Sequence, residues 1–205
     1  APLPDLVRVC RKHEARLMVD DAHAMGVLGG GRGTAAEFGL TEDVDLTMGT
    51  FSKSFASLGG FIAGRGDVVD YIQHHARSLI FSASIPPANA AAAMAALDVM
   101  AEEPERIRRL IEIGTTMRER YREMGFNIGA SETPIIPIII GDDDRTLLFW
   151  KALFDAGVYT NPVLSPGVPQ GLQLLRTSYM ATHTDAQLEK VLSTFKSVGA
   201  RLGII

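Results

Sequence analysis

Short apolar runs alternate along the chain with segments that have a helical apolar period. The clearest run, Pro134–Ile140, is nearly continuous and β-branched, which is typical of a buried strand. The next segment, Arg145–Ala156, is amphipathic and precedes Gly157, a common helix terminator. Because this alternation recurs in both halves of the chain, the sequence predicts an α/β fold.

The composition changes near residue 100 of the 205-residue chain. An alanine-rich, helix-favouring stretch precedes Pro104, and a second helical pattern continues to Met124. We therefore expect two domains, 1–100 and 101–205. The chain has no initiating methionine and enters an amphipathic helix almost at once, so we expect it to begin within a domain. Strands are predicted at 16–20, 45–50, 60–64, 78–84, 134–140 and 172–178.

The overall composition limits the classes of function. A hydrophobic content of 46% permits a sizeable core, and a net charge of −4 without a basic stripe argues against nucleic-acid binding. The apolar runs are far shorter than the ~20 residues that span a bilayer, so we expect no membrane span. The single cysteine, Cys10, excludes internal disulfides and a multi-cysteine zinc site. With no secretory signal at its start, the chain fits a reducing, cytoplasmic setting, and we predict no metal site.

An acidic pair and a histidine follow the first predicted strand, in the stretch Asp20-Asp21-Ala22-His23. Carboxylates at the carboxyl ends of parallel strands lie where α/β sheets bind ligands. A carboxylate beside a pyridine nitrogen favours the protonated ring, and a histidine could bond a ring hydroxylate. The alternative is that these acids cap the next helix or coordinate a metal.

A lysine flanked by hydroxyls follows the second predicted strand, in Thr50-Phe51-Ser52-Lys53-Ser54. A lysine amine can carry an aldehyde as an imine, and hydroxyls can donate to a phosphate. Together, Asp20 and Lys53 look like the two ends of a pyridoxal 5'-phosphate (PLP) site. The alternative is a surface turn.

The glycine-rich stretch and Arg176 each have more than one interpretation. The glycines at 29–33 lack a phosphate-binding frame, so we interpret them as a mobile or close-packed loop. Arg176, in a predicted strand, could bind a substrate carboxylate in a bidentate manner or could be a solvent-exposed strand residue.

These motifs jointly resemble a known family, the α-oxoamine synthases, which are a branch of the fold-type I PLP enzymes. The matching stretches occur in family order and are LMVDDAHAMG from Leu17, GTFSKS from Gly49, FSASIPP from Phe81, TPIIPIIIGD from Thr133 and LLRTSYMATHT from Leu174. The resemblance implies the C-terminal half of such an enzyme. This half comprises part of a mostly parallel large-domain sheet, at 1–100, and a smaller C-terminal α/β domain, at 101–205.

The resemblance also implies roles for five residues around the cofactor. Asp20 would pair with the pyridine nitrogen, and His23 would contact the ring hydroxyl. Thr50 and Ser52 would bind the phosphate. Lys53 would form the imine with PLP.

Two more roles are implied by the same resemblance. Ser82 would reach the phosphate of a neighbouring subunit, which implies a homodimer with active sites at the interface. Arg176 would engage the carboxylate of the amino-acid substrate. The side chain that stacks on the cofactor ring is expected upstream of residue 1.

The implied activity is a PLP-dependent acyl transfer. A small amino acid, namely serine, glycine or alanine, would condense with an acyl-CoA to give an α-aminoketone. The GTFSKS stretch is most similar to the serine palmitoyltransferase branch. The alternatives are an aminotransferase of the same fold, and a non-catalytic truncated or partner subunit.

Overall fold

The computed structural model describes residues 1–205 and divides into two compact units, Ala1–Ile107 and Arg108–Ile205. They are called unit 1 and unit 2. The domain boundary predicted from the sequence, near residue 100, lies a few residues before this division. Neither unit contains a helix with the length and apolarity that a bilayer crossing requires.

Unit 1 is built on a three-stranded mixed sheet in the order β1-β2-β3. Strand β1 (Met18–Asp20) runs parallel to β2 (Leu46–Thr50), and β3 (Gly60–Gly64) runs antiparallel to β2. Helix α1 (Leu3–Lys12) precedes β1, and the short helix α2 (Thr34–Glu37) lies between β1 and β2. A small apolar cluster joins these elements; it consists of Leu3, Val7 and Ala35, with Leu17, Val19, Leu40 and Val44 packed against them. This cluster anchors β1 from one side and so supports the end of the strand that carries Asp20.

The remainder of unit 1 is helical, and one sequence prediction fails in it. Helices α3 (Gly66–His75), α4 (Arg77–Ile80) and α5 (Pro87–Glu102) follow β3. The segment 78–84 was predicted to be strand-like, but its first residues belong to α4, and the rest is irregular. No strand pairs with this segment, and a β-rich composition forms a strand only where a neighbouring strand can pair with it.

Unit 2 contains a second three-stranded sheet, which is wholly antiparallel, in the order β4-β6-β5. Its strands are β4 (Ile135–Ile139), β5 (Asn161–Val163) and β6 (Leu174–Ser178). Strand β5 was not predicted, because three residues that include a proline carry no strand pattern. The helices of unit 2 are α6 (Glu105–Glu123), α7 (Asp143–Asp155) and α8 (Asp185–Arg201). Helix α6 starts just before the boundary between the units.

Aromatic and branched side chains form the core of unit 2. Its largest fully buried members are Tyr121, Phe149, Phe195, Ile113, Met117, Ile136, Ile138, Leu153 and Leu175. Asp142 caps α7 by accepting the backbone N–H of Arg145 at 2.8 Å. Thr184 caps α8 through a reciprocal pair of hydrogen bonds with Gln187.

Candidate active site

The two polar stretches of unit 1 leave the same edge of its sheet. Asp20 is the last residue of β1 and lies opposite Met48 of β2, and β2 continues two residues further to Thr50. Because β1 and β2 are parallel, their carboxyl ends lie together. This is the edge at which α/β sheets bind ligands.

Backbone hydrogen bonds fix the turn that follows β1. The N–H of Asp21 donates to the carbonyl of Met48 at 2.8 Å, which extends the β1–β2 ladder by one residue. The carbonyl of Asp21 then accepts the N–H groups of Ala24 and Met25 at 2.9 and 3.0 Å. One oxygen of the exposed Asp20 carboxylate accepts the N–H of Ala22 at 3.0 Å. The carboxylate is therefore oriented by the backbone but remains accessible.

Lys53 lies in a tight turn directly after β2. The turn is closed by the N–H of Ser57, which donates to the carbonyl of Phe51 at 2.7 Å, and by the N–H of Ala56, which donates to the carbonyl of Lys53 at 3.0 Å. The ring of Phe51 packs against Phe55 at a centroid distance of 5.3 Å, and Phe55 is buried. The turn is thus anchored by aromatic packing, while the lysine side chain itself is exposed.

An open cleft of about 690 Å³ in unit 1 brings three of the predicted residues together. Asp20, His23 and Lys53 all line it. The rest of its wall comes from residues of β1, the start of α1 and Thr34. The cleft therefore combines a carboxylate, an imidazole and a primary amine that belong to segments after two different strands.

The predicted phosphate-binding hydroxyls lie together at the end of β2 but do not line this cleft. The hydroxyls of Thr50 and Ser52 are 2.9 Å apart. The N–H of Ser52 donates to the hydroxyl oxygen of Thr50 at 3.3 Å, and that hydroxyl also contacts the carbonyl of Gly59 at 3.1 Å. This cluster presents two hydroxyls on residues that lie shortly before Lys53 in the chain.

The structure does not bring Ser82 to the cleft. Ser82 lies just after α4 in an exposed segment, and its N–H donates to the carbonyl of Leu79 at 3.2 Å. Its neighbour Phe81 is 79% exposed.

Arg176 belongs to unit 2, where it sits in the central strand β6 opposite Pro137 and Asn161. Its side chain is exposed, and no hydrogen bond or ion pair within the chain occupies its guanidinium group. Its role in substrate binding therefore remains a prediction.

Asp21 is a site residue whose contacts the sequence did not reveal. Its carboxylate is only 1% exposed; one oxygen accepts the N–H of Thr34 at 2.8 Å, and the other has no partner in the chain. Gly33 passes so close that a Cβ at this position would lie 2.2 Å from the Asp21 carboxylate, and its φ is +95°. Gly33 is therefore packed closely against Asp21. The signal available in the sequence was the glycine at 33, which does not by itself name its neighbour.

Comparison with known proteins identifies similar chains. Residues 1–195 match the family model for aminotransferase class I and II. The chain is 50% identical over 199 residues to the serine palmitoyltransferase of Sphingobacterium spiritivorum, which covers 95% of this chain and 50% of that protein. It is 40% identical over 206 residues to the 8-amino-7-oxononanoate synthase of Petrotoga mobilis, covering 100% of this chain and 52% of that protein.

A solved structure gives the same result for the fold. The serine palmitoyltransferase from S. paucimobilis, which was solved with a bound PLP–myriocin aldimine, matches with a TM-score of 0.96 at 35% identity. The match covers 100% of this chain and 52% of that one. The chain therefore spans about half the length of the relatives that it matches.

Proposed function

Because the chain belongs to the aminotransferase class I and II family, and within it to the α-oxoamine synthase group, we propose that the protein is a PLP-dependent acyltransferase. It condenses a small amino acid with an acyl-CoA to give an α-aminoketone. One observation carries this proposal most directly: Asp20, His23 and Lys53 line a single cleft at the carboxyl edge of the unit 1 sheet.

The residues around the cleft fit PLP in their chemistry. A carboxylate can hold the proton on a pyridine nitrogen, an imidazole can bond the ring hydroxyl, and a primary amine can bind the aldehyde. The paired hydroxyls of Thr50 and Ser52 suit a phosphate. Each functional group of the cofactor thus has a matching side chain within unit 1.

When bound, PLP supplies an electron sink that stabilises negative charge at the α-carbon of an amino acid. The protein's residues have separate tasks around it. Asp20 would keep a proton on the ring nitrogen through its opposite charge. Lys53 would hold the aldehyde end, and its amine is the base that would take the α-proton of the amino acid. Thr50 and Ser52 would hold the phosphate.

For the amino acid, we propose serine ahead of glycine and alanine. The relatives of the serine palmitoyltransferase type are 47–50% identical to this chain, whereas those of the 8-amino-7-oxononanoate synthase type are 40–43% identical. Arg176 would bind the carboxylate of the amino acid, and its unpaired guanidinium group supports this role. The second substrate would be an acyl-CoA.

We further propose a homodimer in which Ser82 serves the partner's site. Three large apolar side chains next to Ser82 support this arrangement: Leu79, Ile80 and Phe81 are 53%, 49% and 79% exposed. An apolar cluster of this kind is characteristic of an interface with another protein surface.

We place the reaction in the cytoplasm, in keeping with Cys10, whose thiol is free.

An assay of free-thiol release tests the proposed function. The protein is supplied with PLP, with serine, glycine or alanine, and with acyl-CoAs of graded chain length. We expect thiol release that requires both an amino acid and PLP, and that is fastest with serine. Exchange of the amino group with a 2-oxo acid, without thiol release, would identify an aminotransferase instead. Failure of both reactions would indicate a non-catalytic subunit.

A further inference from the structure

We infer that Ser54 is a positioning residue for Lys53, because its hydroxyl ties the turn that carries the lysine to the loop that follows Asp20 and His23. The lysine turn comprises residues 51–57, and the glycine loop comprises residues 25–33. The hydroxyl of Ser54 donates to the carbonyl of Met25 at 2.5 Å. The inference rests on the proposed function, since it concerns how the same cleft holds PLP.

The two segments approach each other as closely as a glycine allows. A Cβ built on Gly26 would lie 2.7 Å from both the Cβ and the hydroxyl oxygen of Ser54. Gly26 also has a φ of +77°, a backbone conformation that residues other than glycine rarely adopt. The absence of a side chain at Gly26 therefore permits the close approach at which the Ser54 hydrogen bond forms.

Each segment is closed by its own backbone bonds before it meets the other. In the glycine loop, the N–H of Gly26 donates to the carbonyl of Gly31 at 2.9 Å. In the lysine turn, the N–H of Ser57 closes the turn onto the carbonyl of Phe51. Since both segments are already locally ordered, a hydrogen bond between them limits their movement relative to each other.

The consequence for Lys53 follows from its place in the chain. It directly precedes Ser54, and it shares the cleft with Asp20 and His23, which lie a few residues before the glycine loop. The Ser54–Met25 bond therefore sets how far the amine lies from the groups proposed to hold the opposite end of the cofactor. Ser54 contacts neither the cofactor nor the substrate in this scheme; it acts through Lys53.

A matched control is available in the same turn. The hydroxyl of Ser57 donates to the carbonyl of Asn89 at 2.7 Å. Ser57→Ala and Ser54→Ala therefore each remove one hydroxyl-to-carbonyl bond from the lysine turn. Ser57 is the less exposed of the two, so a general loss of stability would be at least as large in the control.

The test compares the two variants by two measurements. The first is amide hydrogen exchange of peptides from the glycine loop, measured without PLP. We expect faster exchange there in Ser54→Ala and unchanged exchange in Ser57→Ala. The second is the dissociation constant for PLP, which we expect Ser54→Ala to raise by about five-fold. Without its hydrogen bond the lysine turn must be ordered again when PLP binds, at a cost of about one modest hydrogen bond. We expect Ser57→Ala to change this constant by less than about two-fold.

The outcomes separate this inference from the proposed function. If the glycine loop exchanges at the same rate in both variants, Ser54 does not position Lys53. The same conclusion follows if the exchange rates differ but the two variants have equal dissociation constants for PLP. If the parent protein does not bind PLP at all, the proposed function is contradicted, and the exchange rates alone decide whether Ser54 joins the two segments.

Discussion

Asp20 and Lys53 line the same cleft of unit 1, although Asp20 ends strand β1 and Lys53 follows strand β2. The parallel pairing of β1 with β2 produces this convergence, because it places both carboxyl ends at one edge. A carboxylate and an amine in one cleft can hold the two ends of an aromatic aldehyde. The predictions below follow from this arrangement and from the hydrogen bonds that maintain it.

Asp20→Asn should lower turnover by about 100-fold while leaving PLP bound, because a neutral amide no longer favours the proton on the ring nitrogen. The measurement is kcat together with the PLP content of the purified variant. Asp98→Asn is the control, since Asp98 is an exposed carboxylate on α5 of the same unit. A kcat for Asp20→Asn within two-fold of the control would refute the proposed role.

Arg176→Ala should weaken binding of the amino acid by ~2–5 kcal/mol, because the substrate carboxylate would lose its charged partner. Arg176→Lys should recover only part of this loss, since an ammonium group keeps the charge but lacks the planar fork of a guanidinium. The dissociation constant of the amino acid, measured by titration, checks both variants. An unchanged constant in Arg176→Ala would rule out the contact.

Asp45→Asn should reduce the stability of unit 1 near neutral pH, with little effect in strong acid. The N–H of Leu17 and then the guanidinium of Arg16 lower the pKa of Asp45 below its ordinary value of 3.8. A lowered pKa in the folded state gives stability that is fully present above pH 3.8 and is lost as the pH falls through the lowered value. Urea unfolding of parent and variant at pH 6 and in acid tests this; a constant difference between them would contradict it.

Tyr179→Phe should make unit 2 less sensitive to strong base. Burial raises the pKa of Tyr179 to about 12 from its ordinary value of 10.0. This group therefore contributes stability below pH 10 that is lost as the pH rises through about 12. At neutral pH the variant should lose about 1 kcal/mol, because the hydrogen bond to the Tyr121 hydroxyl disappears. Circular dichroism against pH is the measurement, and parallel curves for parent and variant would disprove the effect.

The sequence predicted the fold well where a pattern was long or chemically distinctive. The β-branched run at 134–140 forms β4, and most of the amphipathic segment 145–156 belongs to α7. The short strand β5 was missed and the segment 78–84 was misassigned, because strand formation depends on a neighbouring strand that a local pattern cannot reveal.

The candidate site was also predicted only in part. Its reactive side chains could be proposed from the sequence because acids, a histidine and a lysine follow predicted strand ends. The contacts that hold these groups could not be predicted. The hydrogen bond of Ser54 with Met25 and that of Asp21 with Thr34 both form where a glycine allows close approach, and the sequence does not reveal which segments approach.

Covalent labelling tests the central claim most directly. The protein is incubated with PLP, reduced with borohydride and digested, and the modified peptide is identified by mass spectrometry. We predict that the PLP mass is found on Lys53 and that Lys53→Ala is not labelled at this site or at a substitute lysine. Equal labelling of parent and Lys53→Ala, or a label in the parent on a lysine outside the cleft, would contradict the account.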